Sequence, residues 1–336
     1  MTTTQKLNLK YVKTIGQVNN QPRGRGFANP VDLAVSKDGR ILVLNRGAPI
    51  FTRVGVCNLD EDYLYEIGVL GDDDGQFRLP TAVALDSRER VFIADEYNHR
   101  INVFDLSGKY LSKWGVHGSG IGQLDGPAGL AFDADDNMWV ADQRNHRLQK
   151  FTADGDYLAQ CGEKGSGDGQ LNLPWGITLD SNGNVYVADW RNDRIQRFSP
   201  DGRFLASFGE TGDGDGQFRR PSGVAVDSDG YIFVADWGNE RVQVLAADGS
   251  HLLTLRGEAT LSKWAEEFFT ANPDEAIERA RSDLMPDLPS QFDTPYLVSS
   301  QIESYFWGAT SVNLDDDGRL YVTESSRHRI QIYERA

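Results

Sequence analysis

The residues best equipped for chemistry in this chain are those that break a repeat. Most polar residues recur at the same place in every copy of a repeated unit, but a small set does not. Asp32 stands where other copies have mainly Gly, and Glu96, Arg144, Trp190, Arg191, Trp237 and Trp307 vary at positions the repeat gathers at one end of a central channel. Trp175 occupies the position after the repeat proline, where the other copies have Val31, Thr81, Ala128, Ser222 and Thr310. Arg46, Arg144 and Arg191 suit a carboxylate or another planar anion, because a guanidinium offers it two parallel N–H donors. Asp32 or Glu96, desolvated there, would have the raised pKa of a general base. The four tryptophans would supply the apolar walls of a small-molecule site. Their alternative role is to pack beneath an insertion described below.

Positioning these residues falls to the repeat itself. GQFRLPTAVALD (75–86), GQLDGPAGLAFD (122–133), GQLNLPWGITLD (169–180) and GQFRRPSGVAVD (216–227) share one frame, with Pro80, Pro127, Pro174 and Pro221 spaced 47 residues apart. Each unit runs on into a strand ending Ala-Asp, an Asn-x-Arg turn into a third strand, and a fourth strand after a Gly-containing turn. Short β-branched and aromatic runs between Gly, Asp and Asn turns read as antiparallel strands. Four strands per unit suit a propeller blade.

Two degenerate copies, 30–68 and 309–334, bring the blades to six; the remaining blades are 80–115, 127–162, 174–209 and 221–256. The last copy lacks a fourth strand, and KYVKTIG (10–16) supplies that pattern at the other terminus. The predicted fold is all-β: a single six-bladed β-propeller domain over 1–336, its ring closed by the N-terminal strand so that no sheet edge stays open. Between blades five and six, about 41 residues exceed the repeat. Within this insertion (257–306), Leu261, Trp264, Ala265, Phe268 and Phe269 fall on one helical face. Asn272-Pro273 reads as a stop and restart. The expectation is a helical lid over the channel mouth.

Composition narrows the function classes. A net charge of −16 argues against nucleic-acid partners, whose affinity is largely electrostatic. No apolar run is long enough to span a membrane, and MTTTQKLNLK lacks the apolar core of a secretory signal, so a cytoplasmic location is expected. Cys57 and Cys161 sit in blades one and three and read as buried and inert.

Recurring residues read as scaffold. Asp95, Asp142, Asp189 and Asp236 pair by position with Arg100, Arg147, Arg194 and Arg241, and Glu324 with Arg329, as structural corners. His99, His146 and His328 share one repeat position away from the axis, which disfavours a shared metal; His117 and His251 lie elsewhere. The loops GDDDGQF (71–77), GSGDGQL (165–171) and GDGDGQF (212–218) resemble pieces of calcium loops but lack their length and distal Glu, and turn chemistry accounts for them. No cofactor is called for, although a calcium ion in the channel is compatible with the sequence. Nucleophile elbows, zinc-protease motifs and phosphate loops are absent.

The pattern P-x-G-(V/I)-A-x-D, followed by (Y/F)-V-A-D-x-x-N-x-R-(I/V)-Q, resembles the NHL-repeat family of six-bladed propellers over residues 10–255 and 305–336. That resemblance implies the fold; its members serve as protein-binding platforms, RNA readers, sensors and lyases, so function rests on the site. LVLNRGAPIF (42–51) is similar to the first-blade segment of peptidyl-α-hydroxyglycine α-amidating lyases, which implies a catalytic role for Arg46 and, within ADEYN, for Tyr97. The histidines that hold zinc in those enzymes, just after the repeat proline, have no counterpart here, so no metal ligands are assigned. The expected function is a lyase or hydrolase acting on a partly apolar small molecule that bears a carboxylate or carbonyl. The alternative is a non-catalytic propeller that binds a protein or peptide on its top face.

Overall fold

A computed structural model describes residues 7–19, 21 and 23–336. Six four-stranded antiparallel sheets surround a central channel. In blade four the strands are Pro174–Leu179, Val185–Asp189, Arg194–Phe198 and Phe204–Phe208, from channel to rim. Burial follows that order. The second strand, VYVAD, is buried along its whole length, whereas the fourth, FLASF, alternates between covered and exposed positions. Fully buried strands carry continuous apolar runs, and strands with one wet face alternate. The core consists of apolar layers between neighbouring blades, such as Leu42 and Leu44 of blade one against Val83, Val91 and Ile93 of blade two.

The ring closes as the sequence predicts. Leu9–Ile15 pairs antiparallel with Arg329–Arg335, from Leu9 opposite Arg335 to Ile15 opposite Ile330, and becomes the outer strand of blade six.

The repeated Asp-Arg pairs are buried corners. Asp236 accepts from Arg241 Nε at 2.7 Å, Asn239 Nδ2 at 2.9 Å and the Arg219 amide at 2.7 Å. Arg241 then reaches outward to the carbonyls of Asp213, Gly214 and Gln217. The Gly-Asp loops therefore hold a guanidinium with the very carbonyls a calcium ion would need. Blade one departs from this scheme: Asn45 and Arg53 fill the corner, and Arg53 pairs with Glu66 at 3.0 Å.

A second recurring contact joins one blade to the next. His99, His146, Asp193, Glu240 and His328 all have left-handed backbone, with φ of 53, 56, 53, 52 and 55°. Each side chain accepts the amide just before the following blade's first strand: Gly126 at 3.1 Å, Leu173 at 3.2 Å, Arg220 at 2.7 Å, Gly308 at 2.5 Å and Asn29 at 2.9 Å. The three histidines use Nδ1, which can accept only while unprotonated. Burial lowers the pKa of all three from the ordinary 6.5, which favours the neutral ring.

The insertion carries helices α1 (Lys263–Ala271), α2 (Pro273–Arg281) and α3 (Pro295–Gln301). Ser262 caps α1 by accepting from the Ala265 amide and donates to Gly16 O at 2.7 Å. Trp264 is fully buried between the closing strand and blade one, edge-on to Phe27 at 5.5 Å and donating to Glu61 O at 2.5 Å. This corrects the lid expectation: α1 is anchored at the seam of blades six and one, and no residue of the insertion lines the channel mouth. Only α3 approaches the top, against the turn Trp237–Asn239 of blade five.

Two outcomes follow. Asp236→Ala strands the buried Arg241 and is expected to destabilise the fold by about 3–5 kcal/mol, as denaturant unfolding would measure. Glu240 is buried near Glu324, and that burial pushes its carboxyl up to about 7. The folded state then keeps this proton from the ordinary carboxyl value up to about pH 7, where the unfolded chain has lost it, so the buried charge lowers stability on the alkaline side. Glu240→Gln keeps an acceptor without the charge. Its thermal midpoint should exceed the parent's above about pH 8 and match it below about pH 5.

Candidate functional site

The channel is built from the first strands, and Val31, Thr81, Ala128, Trp175, Ser222 and Thr310 all line it. The next position along each strand decides how closely neighbouring blades approach. A Cβ on Gly176 would lie 2.6 Å from Ser222 O, and one on Gly129 would lie 2.3 Å from Trp175 O. Blade one has Asp32 at this position. Its Oδ2 accepts the Val83 amide at 3.0 Å, so the carboxylate fills the seam that glycine leaves tight elsewhere.

Asp32 lines a narrow cavity of about 60 Å³ along the channel. Burial pushes its carboxyl up to about 6, against the lowering effect of hydrogen bonds from the Val83 and Leu33 amides and from Ser311 and Asn313. Among the described residues Asp32 is the one carboxylate lining the shaft.

Above the shaft opens a pocket of about 370 Å³, lined by Trp175, Trp190, Trp237, Arg46, Asn29, Val31, Ser222, Thr310 and Ser325. Val31, Trp175, Ser222 and Thr310 belong to both cavities, so the pocket is the mouth of the shaft. Trp175 and Trp190 lie 6.3 Å apart and inclined at 39°. The mouth thus brings together Arg46 and three of the four tryptophans singled out in the sequence.

The remaining candidates sort by their partners. Glu96 is 8% exposed and clamped between Arg46 Nη2 and Arg144 Nη2, each at 2.6 Å. Its oxygens are occupied, so it serves as an anchor for two guanidiniums and is poorly placed to take a proton. Arg144 also faces Asp125 at 3.5 Å, while Arg46 has no second acceptor among the described residues. Tyr97 is 56% exposed, lies against Arg78, and does not line the mouth. Trp307 packs on Tyr296 and Arg327, also away from the mouth. Arg191 is exposed beside the Trp190 ring, 5.5 Å from its centroid.

Among the described residues one group, His99, His117 and Asp125, brings three metal-ligating atoms within 4.8 Å of one another. Protein contacts already use it: His99 Nδ1 accepts the Gly126 amide, the two rings stack at 4.0 Å, and Arg144 pairs with Asp125. Cys57 is buried, and Cys161 is partly covered. Burial raises both thiols to about 12, which keeps them unreactive.

Beside the mouth lies a cavity of about 550 Å³ lined by Arg219, Arg220, Trp237, Tyr296, Asp193 and Glu240. Sequence reasoning passed over the arginines, although the signal was present: Arg219-Arg220 stands where other copies have Arg78-Leu79, Asp125-Gly126 and Asn172-Leu173.

Glu96→Gln keeps one acceptor oxygen and turns a donor toward the other guanidinium, so it loses one of the two hydrogen bonds and leaves Arg46 without a carboxylate partner, while Arg144 keeps Asp125. A stability loss of about 1–2 kcal/mol in denaturant unfolding is expected, screened by added salt.

Comparison with known proteins gives a consistent picture. The NHL repeat matches residues 77–104, 124–151, 171–198, 218–245 and 306–333. Blade one, with its altered corner, falls outside these matches. No curated protein matches the sequence. Among solved structures, a protein of unknown function from Bacteroides thetaiotaomicron is similar over 98% of this chain and 76% of its own, with 17% identity and a TM-score of 0.65. A catalytically inactive virginiamycin B lyase from Staphylococcus aureus, solved with quinupristin, is similar over 98% and 88%, with 14% identity and a TM-score of 0.58. Hydrazine synthase from Kuenenia stuttgartiensis is similar over 96% and 99%, with 13% identity and a TM-score of 0.55. At such identities the likeness is one of fold. No helix among the described residues is long and apolar enough to cross a membrane. Five NHL repeats within six four-stranded blades place the chain among the NHL-repeat β-propellers.

Proposed function

We propose that this propeller binds a partly apolar, carbonyl- or carboxylate-bearing small molecule at the channel mouth and acts on it as a lyase or hydrolase. The observation carrying this reading is the uncovered 370 Å³ pocket, where Trp175, Trp190 and Trp237 face open space beside Arg46. Pockets of this size with apolar walls and few polar groups are the usual form of small-molecule sites.

The roles divide by position. Tryptophan faces hold the apolar part of the ligand and displace water. Arg46, oriented by Glu96, keeps guanidinium N–H groups for a carbonyl oxygen and for the negative charge that develops on it. Asp32, with its carboxyl pushed up to about 6, is mostly ionised at neutral pH and still basic enough to take a proton. Its 60 Å³ shaft has room for about two waters by liquid volume and none for a substrate, so the proton passes through water. A water activated in this way hydrolyses the bond; alternatively, Asp32 draws a proton from the ligand through that water, and elimination follows.

A second reading, a docking platform for protein or peptide, is favoured by exposed apolar residues on the insertion, Phe268 at 47% and Met285 at 58%.

The test is turnover and binding against a small-molecule panel, with tryptophan fluorescence as the binding signal. Asp32→Asn should bind normally and lose turnover by about 100-fold or more. In the parent, turnover should fall on the acid side of about pH 6 as Asp32 takes up its proton. Arg46→Ala should lose both binding and turnover. Unchanged turnover in both variants would refute the assignment.

A further inference from the structure

We infer that the cavity between blades four and five is a carboxylate subsite, in which Arg219 and Arg220 clasp the anionic end of a ring-bearing ligand whose other end occupies the channel mouth. The inference rests on the mouth reading for that other end, while the arginine clamp stands on its own observations.

Both arginines have pinned backbones and free heads. The Arg219 amide donates to Asp236 at 2.7 Å and the Arg220 amide to Asp193 at 2.7 Å. Neither guanidinium has a carboxylate within ion-pair distance among the described residues, and both are exposed. Their backbone hydrogen bonds hold them in place before any ligand arrives, which reduces the ordering cost of binding.

The neighbouring acids do not cancel them. Asp193 spends one oxygen on the Arg220 amide and the other on Thr211 Oγ1 at 2.7 Å. Glu240 accepts the Gly308 amide, and burial pushes its carboxyl up to about 7, so part of the population is neutral. Two guanidiniums against Asp193 and a partly ionised Glu240 leave a small positive excess at neutral pH. That excess suits a monocarboxylate better than a phosphate dianion, which Asp193 would repel.

The apolar walls set the rest of the ligand. Trp237 lines both this cavity and the mouth, so one indole is a wall of each. Tyr296 of α3 forms the outer wall and is half exposed, edge-on to Trp307 at 5.6 Å. The Arg220 guanidinium lies 5.1 Å from the Trp190 ring centroid, so a cation–π contact links the clamp to the tryptophans of the mouth. The insertion thus contributes to binding through α3, at the side of the site.

The experiment compares 3-phenylpropionate with its neutral amide, 3-phenylpropionamide, by tryptophan fluorescence titration of the full chain. The parent should prefer the carboxylate by about tenfold, the worth of a charge-assisted contact. The Arg219→Gln/Arg220→Gln variant, altered only at exposed heads, should bind both compounds equally. Equal affinities in the parent, a preference that survives the double substitution, or no binding of either compound at millimolar concentration would overturn the clamp. Trp175→Ala separates the two proposals, since this residue lines the mouth and the shaft but not the arginine cavity. Weaker binding of both compounds supports the mouth reading, whereas unchanged binding with the arginine effect intact refutes the mouth reading and leaves the clamp standing.

Discussion

The fold turns on a buried carboxylate that holds an arginine which in turn holds a loop. At Asp142, Asp189 and Asp236 a fully buried carboxylate accepts from the following Arg, from an Asn and Gln, and from the backbone that leads into the first strand. Arg147, Arg194 and Arg241 extend from it into the Gly-rich loop and satisfy its carbonyls. An isolated buried ion would cost several kcal/mol; here both carboxylate oxygens and the Arg Nε and Nη2 atoms have partners. One interaction therefore fixes the top turn, the loop outside it and the start of the first strand. Side chains on that turn are presented at the mouth with little freedom, and the turn can change residue type without disturbing its support.

That division explains how a symmetric scaffold carries an asymmetric site. Trp190 and Trp237 both follow the corner aspartate, where blades two and three place Glu96 and Gln143. The aromatic side of the mouth therefore belongs to blades four and five, and the charged side to blades one, two and three through Arg46, Glu96 and Arg144. Arg144 is held by both Glu96 and Asp125, so Arg46 is the guanidinium of this cluster that lines the mouth with one carboxylate partner.

Much of this organisation was legible in the sequence because it repeats. The 47-residue proline spacing, the Ala-Asp ends and the stray fourth-strand pattern at KYVKTIG specify blades and closure, since each strand's burial pattern follows its distance from the axis. Trp175, Trp190, Trp237 and Arg46 were legible as departures from a frame that fixes where their side chains gather. Pairing was not. Nothing in the spacing of Arg46, Glu96 and Arg144 says that the carboxylate is consumed by both arginines, because they come together from three blades. The lid failed for a related reason. An amphipathic pattern shows that Trp264 needs cover but not where, and the nearest cover was the seam that ring closure creates beside Phe27. Arg219 and Arg220 precede the repeat proline, and the repeat frame, which gathers the residues after that proline at the channel, does not place them in a cavity.

The blade-to-blade latch shows how one geometry tolerates opposite chemistries. His99, His146 and His328 hold the next blade only as neutral bases, and their lowered pKa values mean that the unfolded chain takes up protons first as pH falls below about 6.5. Their contribution is complete above that value and declines on the acid side. Glu240 has the reverse sign: its carboxyl, pushed up to about 7, favours the folded state where the proton is retained and opposes it once the charge forms. The junction that differs is the one spanned by the insertion, where the amide it secures, Gly308, returns from α3 rather than from a short repeat loop. A carboxyl there offers two acceptor oxygens, and the amides of both Gly308 and Ala309 use them. The long excursion thereby gains a two-point return to the ring, at the cost of a buried acid, and that acid sits in the wall of the cavity beside Arg219 and Arg220.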